Sequence, residues 1–545
     1  MKKYLGDLIK LAPRQASDLM KAKRTLAGKY RIRILTNADI LKEYRRFFKG
    51  RQDAALARLL RKREIRTLSG IAPVTVLTKP YPCPGRCIYC PTEVRMPKSY
   101  IATEPAAQRA LRLNFDPYRQ VKMRIDTLEA NGHNADKIEL IVLGGTWSYY
   151  QTKYQNWFIK RCFEAANQTM AYRLWPTDDG LQRVQNINEK AKHRIIGLTL
   201  ETRPDYVTAK ELWRMRGLGC THVQIGVQTL DQHIIDLTKR DDSLPNLARA
   251  TAMLRDFGFK VTYHLMPGLP GATPAKDLAV FKKVFSDRRF QPDMLKIYPC
   301  LVIKSALLYQ WYKAGKYKPY SDEVLSRLLV KIKGVIPPYV RINRLIRDIP
   351  GQEIVAGSRI TNLRQLLQER GVICRCIRCR EARKQKVSEK DVKLVKRIYR
   401  AGAGTEMFIS FERKDEKKLY AFVRLRLPDK KRPITKPLKI IRFFDKQEIS
   451  VDSGATAFPV DTALIRELHT YGELIPVGSK QTAVQHIGFG KRLMAEAEKI
   501  ARQKKYRQMA VISGIGVREY YRKMGYWDQD TYLIKELQKG LTLRV

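Results

Sequence analysis

Three cysteines stand close together in the segment YPCPGRCIYCP. Cys83, Cys87 and Cys90 have a CxxxCxxC spacing, directly after a short β-branched run. Three thiolates on one tight loop can ligate three irons of a [4Fe–4S] cluster, which leaves the fourth iron open to a substrate or cofactor. The alternative is zinc, but zinc prefers a closed site with four ligands. No fourth cysteine is near, so the spacing favours the iron–sulfur interpretation.

A second cysteine cluster lies in the basic segment ICRCIRCRE and comprises Cys374, Cys376 and Cys379. The interleaved arginines favour thiolates, and three thiolates need one more ligand to complete a tetrahedral zinc site. Cys162 and Cys220 read as buried structural residues of a helix and a strand. Cys300 follows a strand and a proline, so we expect it to be the fourth zinc ligand.

A glycine-rich turn opens an amphipathic helix in QHIGFGKRLMAEAEKIA. Gln485, Gly488 and Gly490 have a QxxGxG spacing. Glycines at the start of a helix leave backbone N–H groups open to a pyrophosphate. The strand-like run ALIRELHTYG precedes this turn, and the run MAVISG with the tyrosine-rich helix VREYYRKMGY follows it.

The elements that must position the first cysteines alternate between short strands and longer helices. Strand candidates cover residues 74–79, 138–144, 195–201, 222–228, 260–266 and 293–298. Repeated βα units predict an α/β fold with a parallel sheet, open or curled into a partial (β/α) barrel. From residue 401 onward, strand-like runs have few helices between them, which predicts a separate α+β domain.

Polar residues and glycines collect where the predicted strands end. Gly144, Gly145 and Thr146 follow the second strand, Glu201 ends the third, and Gln228 ends the fourth. Ligands of parallel α/β folds bind at the carboxyl ends of the strands. These residues are therefore candidates for cofactor binding.

The charge of the chain is far from balanced. Its 545 residues include 105 Lys or Arg and 53 Asp or Glu, a net charge of +52. Such an excess indicates a polyanionic partner, most often nucleic acid; a thermophile or halotolerant surface is the alternative, although such surfaces usually balance the signs. Residues 1–70, with 20 basic and 6 acidic residues, predict a basic helical segment that contacts phosphates.

Nine cysteines in a large chain without an apolar leader argue for metal or catalytic chemistry in a cytoplasmic protein rather than a disulfide scaffold. No apolar run is long enough to cross a bilayer, so we expect no membrane association. The predicted organisation is a basic helical segment that contacts nucleic acid (1–70), a barrel domain (71–370), a cysteine-rich connector (371–400) and the α+β domain (401–545).

The CxxxCxxC loop and the strand-end residues resemble the radical S-adenosylmethionine (SAM) superfamily. The resemblance implies that the open iron chelates SAM, that Gly144, Gly145 and Thr146 meet its amino group, and that Glu201 holds its ribose or amine. Gln228 falls at a later strand end of the same site.

The C-terminal motifs resemble GNAT-type acetyltransferases, which bind acetyl-CoA between two splayed strands. The resemblance assigns Glu467, Leu468, His469 and Thr470 to acetyl-CoA binding, with a possible base role for His469. The glycine-rich turn adds its own ligand residues: Gln485, Gly488, Phe489, Gly490 and Lys491. Tyr520 and Tyr521 match tyrosines near the thioester, although core packing would also explain one of them.

Taken together, the motifs resemble the Elp3 family, the catalytic subunits of Elongator, over residues 70–545. The compact cysteine motif matches its bacterial and archaeal members. The resemblance implies a transferase that uses SAM radical chemistry and acetyl-CoA to place a carboxymethyl group on C5 of the wobble uridine in the tRNA anticodon, so we expect residues 1–70 to bind tRNA. We also expect the chain to act without other Elongator subunits. Lys137 matches a position that contacts acetyl-CoA across the domain boundary.

Two other functions compete with this interpretation. A protein lysine N-acetyltransferase of the histone type would need an acidic groove for basic peptides, and the net charge of +52 argues against it. A binding module, in which the GNAT-type domain only gates tRNA, would not need the glycine-rich turn.

Overall fold

The computed structural model gives the path of most of the chain. It describes residues 1–47, 56, 59–60, 70–168, 180–382, 387–430, 458–459, 461–471 and 488–538. Most of the basic run 49–66, and Gln485 of the glycine-rich turn, lie outside the described residues. Among the described helices, none combines the length and the hydropathy needed to cross a membrane.

Three helices at the start of the chain form a small bundle: Lys2–Lys10, Ala16–Lys29 and Asn37–Phe47. Their apolar residues recur at helical spacing and meet in one core, which includes Leu5, Leu26 and Tyr44. Arg45 fastens the bundle to the next domain, because its Nη1 donates to the carbonyl oxygen of Glu129 at 2.9 Å.

Seven strands form a parallel sheet in the order β1–β2–β3–β4–β5–β6–β8. They are β1 (Ala72–Leu77), β2 (Lys137–Leu143), β3 (Arg194–Thr202), β4 (His222–Gln228), β5 (Lys260–Leu265), β6 (Met294–Ile297) and β8 (Arg341–Arg344). β7 (Val302–Ile303) and β9 (Ile354–Ala356) pair separately. This sheet is the partial barrel that the sequence predicts.

Parallel neighbours need long crossovers, and helices supply them. The helices of this part are Pro105–Arg112, Pro117–Ala130, Thr152–Asn167, Gly180–Asn188, Ala209–Gly217, Gln232–Leu237, Leu244–Asp256, Pro274–Ser286, Leu308–Lys313, Asp322–Val335, Leu363–Glu369 and Ile377–Arg380. Several begin at a side-chain oxygen that accepts a backbone N–H of the first turn, which fixes their starts. These caps are Asp116, Thr208, Asp231, Ser243, Thr273 and Ser321.

The two faces of the half-barrel differ in polarity. On the outer face, Leu198 and Leu200 of β3 and Val223 of β4 pack under the helices in the main apolar core. Successive strand side chains point to opposite faces. The alternate residues, such as Thr199 and Glu201, therefore face the concave side, which the helices do not cover.

The C-terminal part holds a second seven-stranded sheet, in the order β10–β11–β12–β13–β14–β16–β15. Its strands are β10 (Val392–Arg400), β11 (Gly404–Arg413), β12 (Leu419–Pro428), β13 (Thr462–Thr470), β14 (Gln508–Val511), β15 (Trp527–Gln529) and β16 (Tyr532–Glu536). Helices Phe489–Gln503 and Arg518–Arg522 complete this part. β13 and β14 are parallel, while the other neighbours are antiparallel.

The predicted connector is too long at its end. The sequence analysis extends it to residue 400, but residues 392–400 form β10, which pairs with β11 over its whole length. The exposed and partly buried residues of β10 alternate, as in an edge strand with one solvated face. Four of its nine residues are Lys or Arg. This basic composition is why the sequence analysis assigns the segment to the connector.

The second sheet packs against the amino ends of the barrel strands. Lys260 begins β5, and its Nζ lies 3.8 Å from a carboxylate oxygen of Glu467 in β13. Arg341 begins β8 and donates to the hydroxyl of Tyr471 at 3.0 Å. Gly514 lies so close to β3 that a Cβ there would meet the backbone oxygen of Ile196 at 2.0 Å.

Candidate functional site

The first cysteine cluster lies on the loop after β1, at the carboxyl end of the sheet. Cys83 and Cys90 are partly exposed and Cys87 is buried; all three are free thiols. The hydrogen bond from Cys90, with Arg240 and other neighbours, lowers the pKa of Cys87 to about 5. Nη1 of Arg240 lies 3.8 Å from the sulfur of Cys87. Such a loop favours the thiolate that an iron site requires.

The turn after β2 lies beside this loop and needs its two glycines. Gly144 and Gly145 have φ values of +143° and +87°, and a Cβ at Gly144 would lie 1.7 Å from Oγ1 of Thr78. Only glycine fits such a position. The next residue, Thr146, places its Oγ1 3.9 Å from the sulfur of Cys83. The structure therefore brings the predicted glycine turn to the cysteine loop.

Glu201 and Gln228 lie at the same end of the sheet. Glu201 accepts a hydrogen bond of 2.8 Å from the hydroxyl of Tyr100, and its other oxygen lies 3.6 Å from Nδ1 of His264. Gln228 has a φ of +69°. Its buried Oε1 has no hydrogen-bond partner in the described part of the chain. An orphaned amide oxygen beside thiolates and a carboxylate fits a polar cofactor such as SAM bound to an iron–sulfur cluster.

Polar side chains line the concave face between the two ends of the barrel. Near the amino ends, His222 lies between two hydroxyls, 3.0 Å from Thr199 Oγ1 and 2.7 Å from Thr262 Oγ1. One layer further, His264 Nε2 lies 2.9 Å from Gln224 Oε1. Burial lowers the pKa of both histidines, so both rings are neutral at neutral pH.

The sequence analysis missed these concave residues. The signal was present as alternation, since polar and apolar residues take turns in HVQIGVQ and KVTYHLM. Lys296 of β6 also faces this interior, close enough to Glu201 for the two charges to interact. Burial lowers the pKa of Lys296 to about 8. The interior of the half-barrel is thus polar from one end to the other.

At the amino end of the barrel, two strands of the C-terminal sheet separate. β13 pairs with β14 only from Thr462 to Ile465, while its continuation pairs with β12 alone. The backbone from residue 466 to 470 therefore has an open side. The residues after the split include the predicted acetyl-CoA contacts Glu467, Leu468, His469 and Thr470.

The glycine-rich turn lies at this opening. Gly488 has a φ of +73° and caps the helix Phe489–Gln503. A Cβ at Gly490 would lie 2.6 Å from the hydroxyl of Tyr520 and 3.7 Å from Oγ1 of Thr470. The structure thus brings together three residues that the sequence analysis assigns to one site.

The neighbours of the turn take different positions. Phe489 is buried and stacks on Phe411 with ring centroids 4.6 Å apart, whereas Lys491 is exposed. Tyr521 is buried in the apolar core, and its ring lies 5.3 Å from that of Tyr520. Tyr520 is therefore the tyrosine that borders the opening, and Tyr521 packs against it from the apolar core.

His469 and Glu467 project from β13 toward the barrel. Nε2 of His469 is buried and has no hydrogen-bond partner among the described residues. Burial lowers the pKa of His469 to about 4, although Glu467 opposes the shift. Arg424 donates to Glu467 at 2.9 Å, which keeps this carboxylate charged. Lys137 begins β2 at the same end of the barrel, and burial lowers its pKa.

The second cysteine cluster is compact. The sulfurs of Cys374, Cys376 and Cys379 all lie within 4.8 Å of one another. Hydrogen bonds from the other two thiols lower the pKa of Cys376. Three sulfurs at this spacing fit one side of a tetrahedral metal site.

Cys300 does not belong to this cluster, which corrects the predicted fourth ligand. It is buried beside Cys87 and Tyr317, in an apolar cluster near the first cysteine loop. The reason is strand direction. Cys300 follows the carboxyl end of β6, whereas the connector packs at the amino end of β8, where Ile377 donates to Val340, and β6 and β8 are parallel.

Known proteins share these features. The model of the Radical SAM superfamily matches residues 80–283, and that of the Radical_SAM C-terminal domain matches residues 292–371. The chain is 42% identical over 521 residues to the "tRNA uridine(34) acetyltransferase" of Methanocaldococcus infernus, covering 92% of this chain and 91% of the relative.

Two further relatives extend the comparison. The chain is 35% identical over 565 residues to "Elongator complex protein 3" of Homo sapiens, with coverage of 98% and 97%. A solved structure of archaeal Methanocaldococcus infernus Elp3, lacking residues 1–46, has a TM-score of 0.70 and 39% identity, and covers 86% of this chain and 99% of that chain. The chain therefore belongs to the Elongator complex protein 3 family of radical SAM proteins, which includes the tRNA uridine(34) acetyltransferases.

Proposed function

We propose that this chain modifies the wobble uridine of tRNA with a group taken from acetyl-CoA. One observation carries the proposal. The cysteine loop and the opening between β13 and β14 lie at opposite ends of one half-barrel, and its concave face is polar between them. We propose that the acetyl arm and the base meet in this polar interior, because hydrogen abstraction requires close approach of the reacting atoms away from water.

Cys83, Cys87 and Cys90 would hold the [4Fe–4S] cluster, and the strand-end residues would hold SAM. When bound, these groups supply the one-electron chemistry that removes hydrogen from an unactivated carbon. Within the chain, Gly144 and Gly145 offer their backbone at close range because they lack side chains. Glu201, fixed by Tyr100, presents a carboxylate, and Gln228 presents its free amide oxygen.

The C-terminal opening would hold acetyl-CoA. The N–H groups of the turn at Gly488 and Gly490, with Gln485 and Lys491, would bind the pyrophosphate. The open backbone of β13 at Leu468 and Thr470 would hold the acyl arm, and Lys137 would reach it from the barrel. Tyr520 and Tyr521 would orient the thioester.

The proposed product is a carboxymethyl group on C5 of uridine 34. It needs a new bond from the acetyl methyl carbon to C5 of the base, which replaces one methyl C–H bond and the C5–H bond, and it needs hydrolysis of the thioester, which releases CoA. His469 is neutral at neutral pH and is proposed to accept the proton of the attacking water. The buried positive charges near Glu467 would stabilise the developing oxyanion.

The tRNA would lie on the basic surface of the chain, which we propose binds the anticodon stem-loop. Basic side chains of the N-terminal bundle are exposed, among them Lys3, Lys21, Arg24, Arg31 and Lys42. Such residues neutralise phosphates. We further propose that the connector cysteines bind structural zinc, and that the chain acts without other Elongator subunits.

The test is mass spectrometry of wobble nucleosides after incubation of tRNA with anaerobically reconstituted full-length enzyme, SAM and acetyl-CoA. The proposal expects a carboxymethyl group at position 34 that disappears when any one component is omitted. Acetylation of added basic peptides, with unmodified tRNA, would instead favour the protein N-acetyltransferase.

A further inference from the structure

A continuous line of aromatic rings borders the first cysteine loop. Ring centroids of successive members are 4.7 to 5.9 Å apart, a range in which aromatic pairs attract each other. The members, in spatial order, are Trp157, Tyr154, Tyr150, Tyr81, Tyr149 and Tyr206, and we refer to them as the aromatic line. Neither the cysteine loop nor the acetyl-CoA opening accounts for it.

The middle of the aromatic line is fixed to the barrel. The hydroxyl of Tyr150 is buried and donates to the carbonyl oxygen of Lys79 at 2.8 Å, and it lies 2.8 Å from Oγ1 of Thr78. The hydroxyl of Tyr154 accepts from the backbone N–H of Lys79 at 3.0 Å. Both contacts lie at the end of β1, so the rings cannot move independently of the cysteine loop.

Two members of the line reach solvent. Tyr149 is 39% exposed and Trp157 is 44% exposed. Tyr149 lies between the edges of two other rings, with Tyr81 at 5.9 Å and Tyr206 at 5.8 Å. Exposed aromatic rings are less favourable in water than rings covered by another molecule. Neighbouring rings hold Tyr149 and Trp157 in place.

Tyr149 is close to the first cysteine loop, where the radical chemistry is proposed. Tyr81 is two residues before Cys83 in the chain. Tyr149 ends the short helical turn that begins after Thr146, and Oγ1 of Thr146 lies 3.9 Å from the sulfur of Cys83. A molecule seated on Tyr149 would therefore lie at the rim of the cysteine loop.

Positive charge surrounds the aromatic line. Nζ of Lys79 lies 5.0 Å from the ring centre of Tyr154, and Lys153 is exposed on the adjoining helix. Arg86 in the cysteine loop pairs with Asp241, and Arg203 pairs with Asp205. The net positive charge beside the line therefore comes from Lys79 and Lys153.

We propose that Tyr149 is a stacking platform for an unpaired base of the substrate RNA beside the uridine that reacts. Aromatic rings interleaved with cations are the means by which proteins hold single-stranded nucleic acid, and sequence-specific RNA recognition targets unstacked loop bases. The inference rests on the proposed function and adds how the anticodon loop is held. Trp157 offers a second stacking position further along the line.

The test uses the full-length protein and an anticodon stem-loop RNA with 2-aminopurine next to the wobble uridine. Stacking quenches this fluorophore. We expect Tyr149→Ala to weaken binding about tenfold and to abolish the quench, because one base–aromatic stack contributes this much. Tyr149→Phe should keep both. Trp527→Ala is the matched control, since Trp527 is an aromatic residue of similar exposure, at 44% against 39% for Tyr149, but lies in β15.

A duplex RNA without a loop gives the second comparison, and Tyr149→Ala should bind it as tightly as the wild type. Equal affinity and equal quench of the loop RNA by wild type and Tyr149→Ala would overturn the proposal, and would assign the aromatic line to another partner such as a protein. Failure of the proposed function has a different signature, because then the wild type itself would leave tRNA unmodified.

Discussion

Nη2 of Arg466 in β13 lies 2.5 Å from Oδ2 of Asp293, the residue that precedes barrel strand β6. Both side chains are fully buried. Nη1 of the same arginine donates to Glu406 of β11 at 2.9 Å. The contact therefore joins the two sheets through charges that water cannot reach, at the amino end of the barrel.

Replacing Arg466 should destabilise the whole chain. Arg466→Ala leaves the carboxylates of Asp293 and Glu406 with less compensation, and breaking a buried ion pair typically costs about 3–5 kcal/mol. Chemical denaturation measures the change in unfolding free energy. Arg289→Ala is the control, because its pair with Asp287 is 57% exposed on the arginine side and an exposed pair contributes far less to stability than a buried one. Equal effects of the two variants would contradict the role given to Arg466.

The connector cysteines should bind one zinc ion per chain. Metal binding in such a site contributes to folding, so Cys374→Ser should lose the zinc and lower the melting temperature. Cys300→Ser should keep the zinc, because Cys300 lies with Cys87 at the other end of the sheet. Metal analysis of aerobically purified protein measures the zinc content of both variants, and thermal unfolding measures the melting temperature. Absence of zinc from the wild type, or its loss in Cys300→Ser, would refute this assignment.

Much of the barrel could be predicted because its strands are short apolar runs separated by helices. The prediction for β4 matches the structure at both ends, 222–228, and that for β3 differs by one residue at each end. Strand direction then places Cys83, Gly144 and Glu201 together, since all follow or end parallel strands.

Other features could not be read in this way. β10 is rich in basic residues without a strict polar–apolar alternation, so its composition resembles a linker and only its pairing with β11 reveals the strand. The assignment of Cys300 as a zinc ligand is wrong because the sequence does not show that the connector packs at the amino end of the sheet, away from the end at which Cys300 lies. Tyr520 and Tyr521 are adjacent in sequence, and only packing shows that Tyr520 borders the opening while Tyr521 is buried.

His469 should make stability depend on pH. Its pKa is about 4 in the folded chain because of burial, against about 6.5 when unfolded. Between these values the unfolded chain binds a proton that the folded chain excludes, so stability falls as pH drops from about 6.5 to about 4. The charged groups around this histidine are Glu467, Arg341, Lys260 and Glu381. They are unchanged in the variant His469→Gln, with which the wild type is compared.

His469→Gln should remove this dependence, and the wild-type loss attributable to His469 between neutral pH and pH 4 should be about 3 kcal/mol. Denaturant unfolding at a series of pH values measures it. A variant whose stability falls as steeply as that of the wild type would show that His469 is not held neutral.

The glycine-rich turn should tolerate no side chain at Gly490. A Cβ there already meets the hydroxyl of Tyr520 at 2.6 Å, and a large residue would also cover the N–H groups offered to the pyrophosphate. Gly490→Trp should weaken acetyl-CoA binding by at least tenfold in calorimetry. Gly334→Trp is the control, because Gly334 has no atom within 4 Å of an added Cβ. Unchanged affinity in Gly490→Trp would move the acetyl-CoA site elsewhere.

The most direct test of the central claim is to follow the methyl group of acetyl-CoA into tRNA. The full-length enzyme is reconstituted with iron and sulfide and incubated with SAM, tRNA and acetyl-CoA that carries three deuterons on its methyl carbon. The account predicts a wobble nucleoside whose carboxymethyl group retains two deuterons, and no such product from Cys87→Ala or Gly490→Trp. A product that retains all three deuterons, or one formed equally by Cys87→Ala, would contradict it.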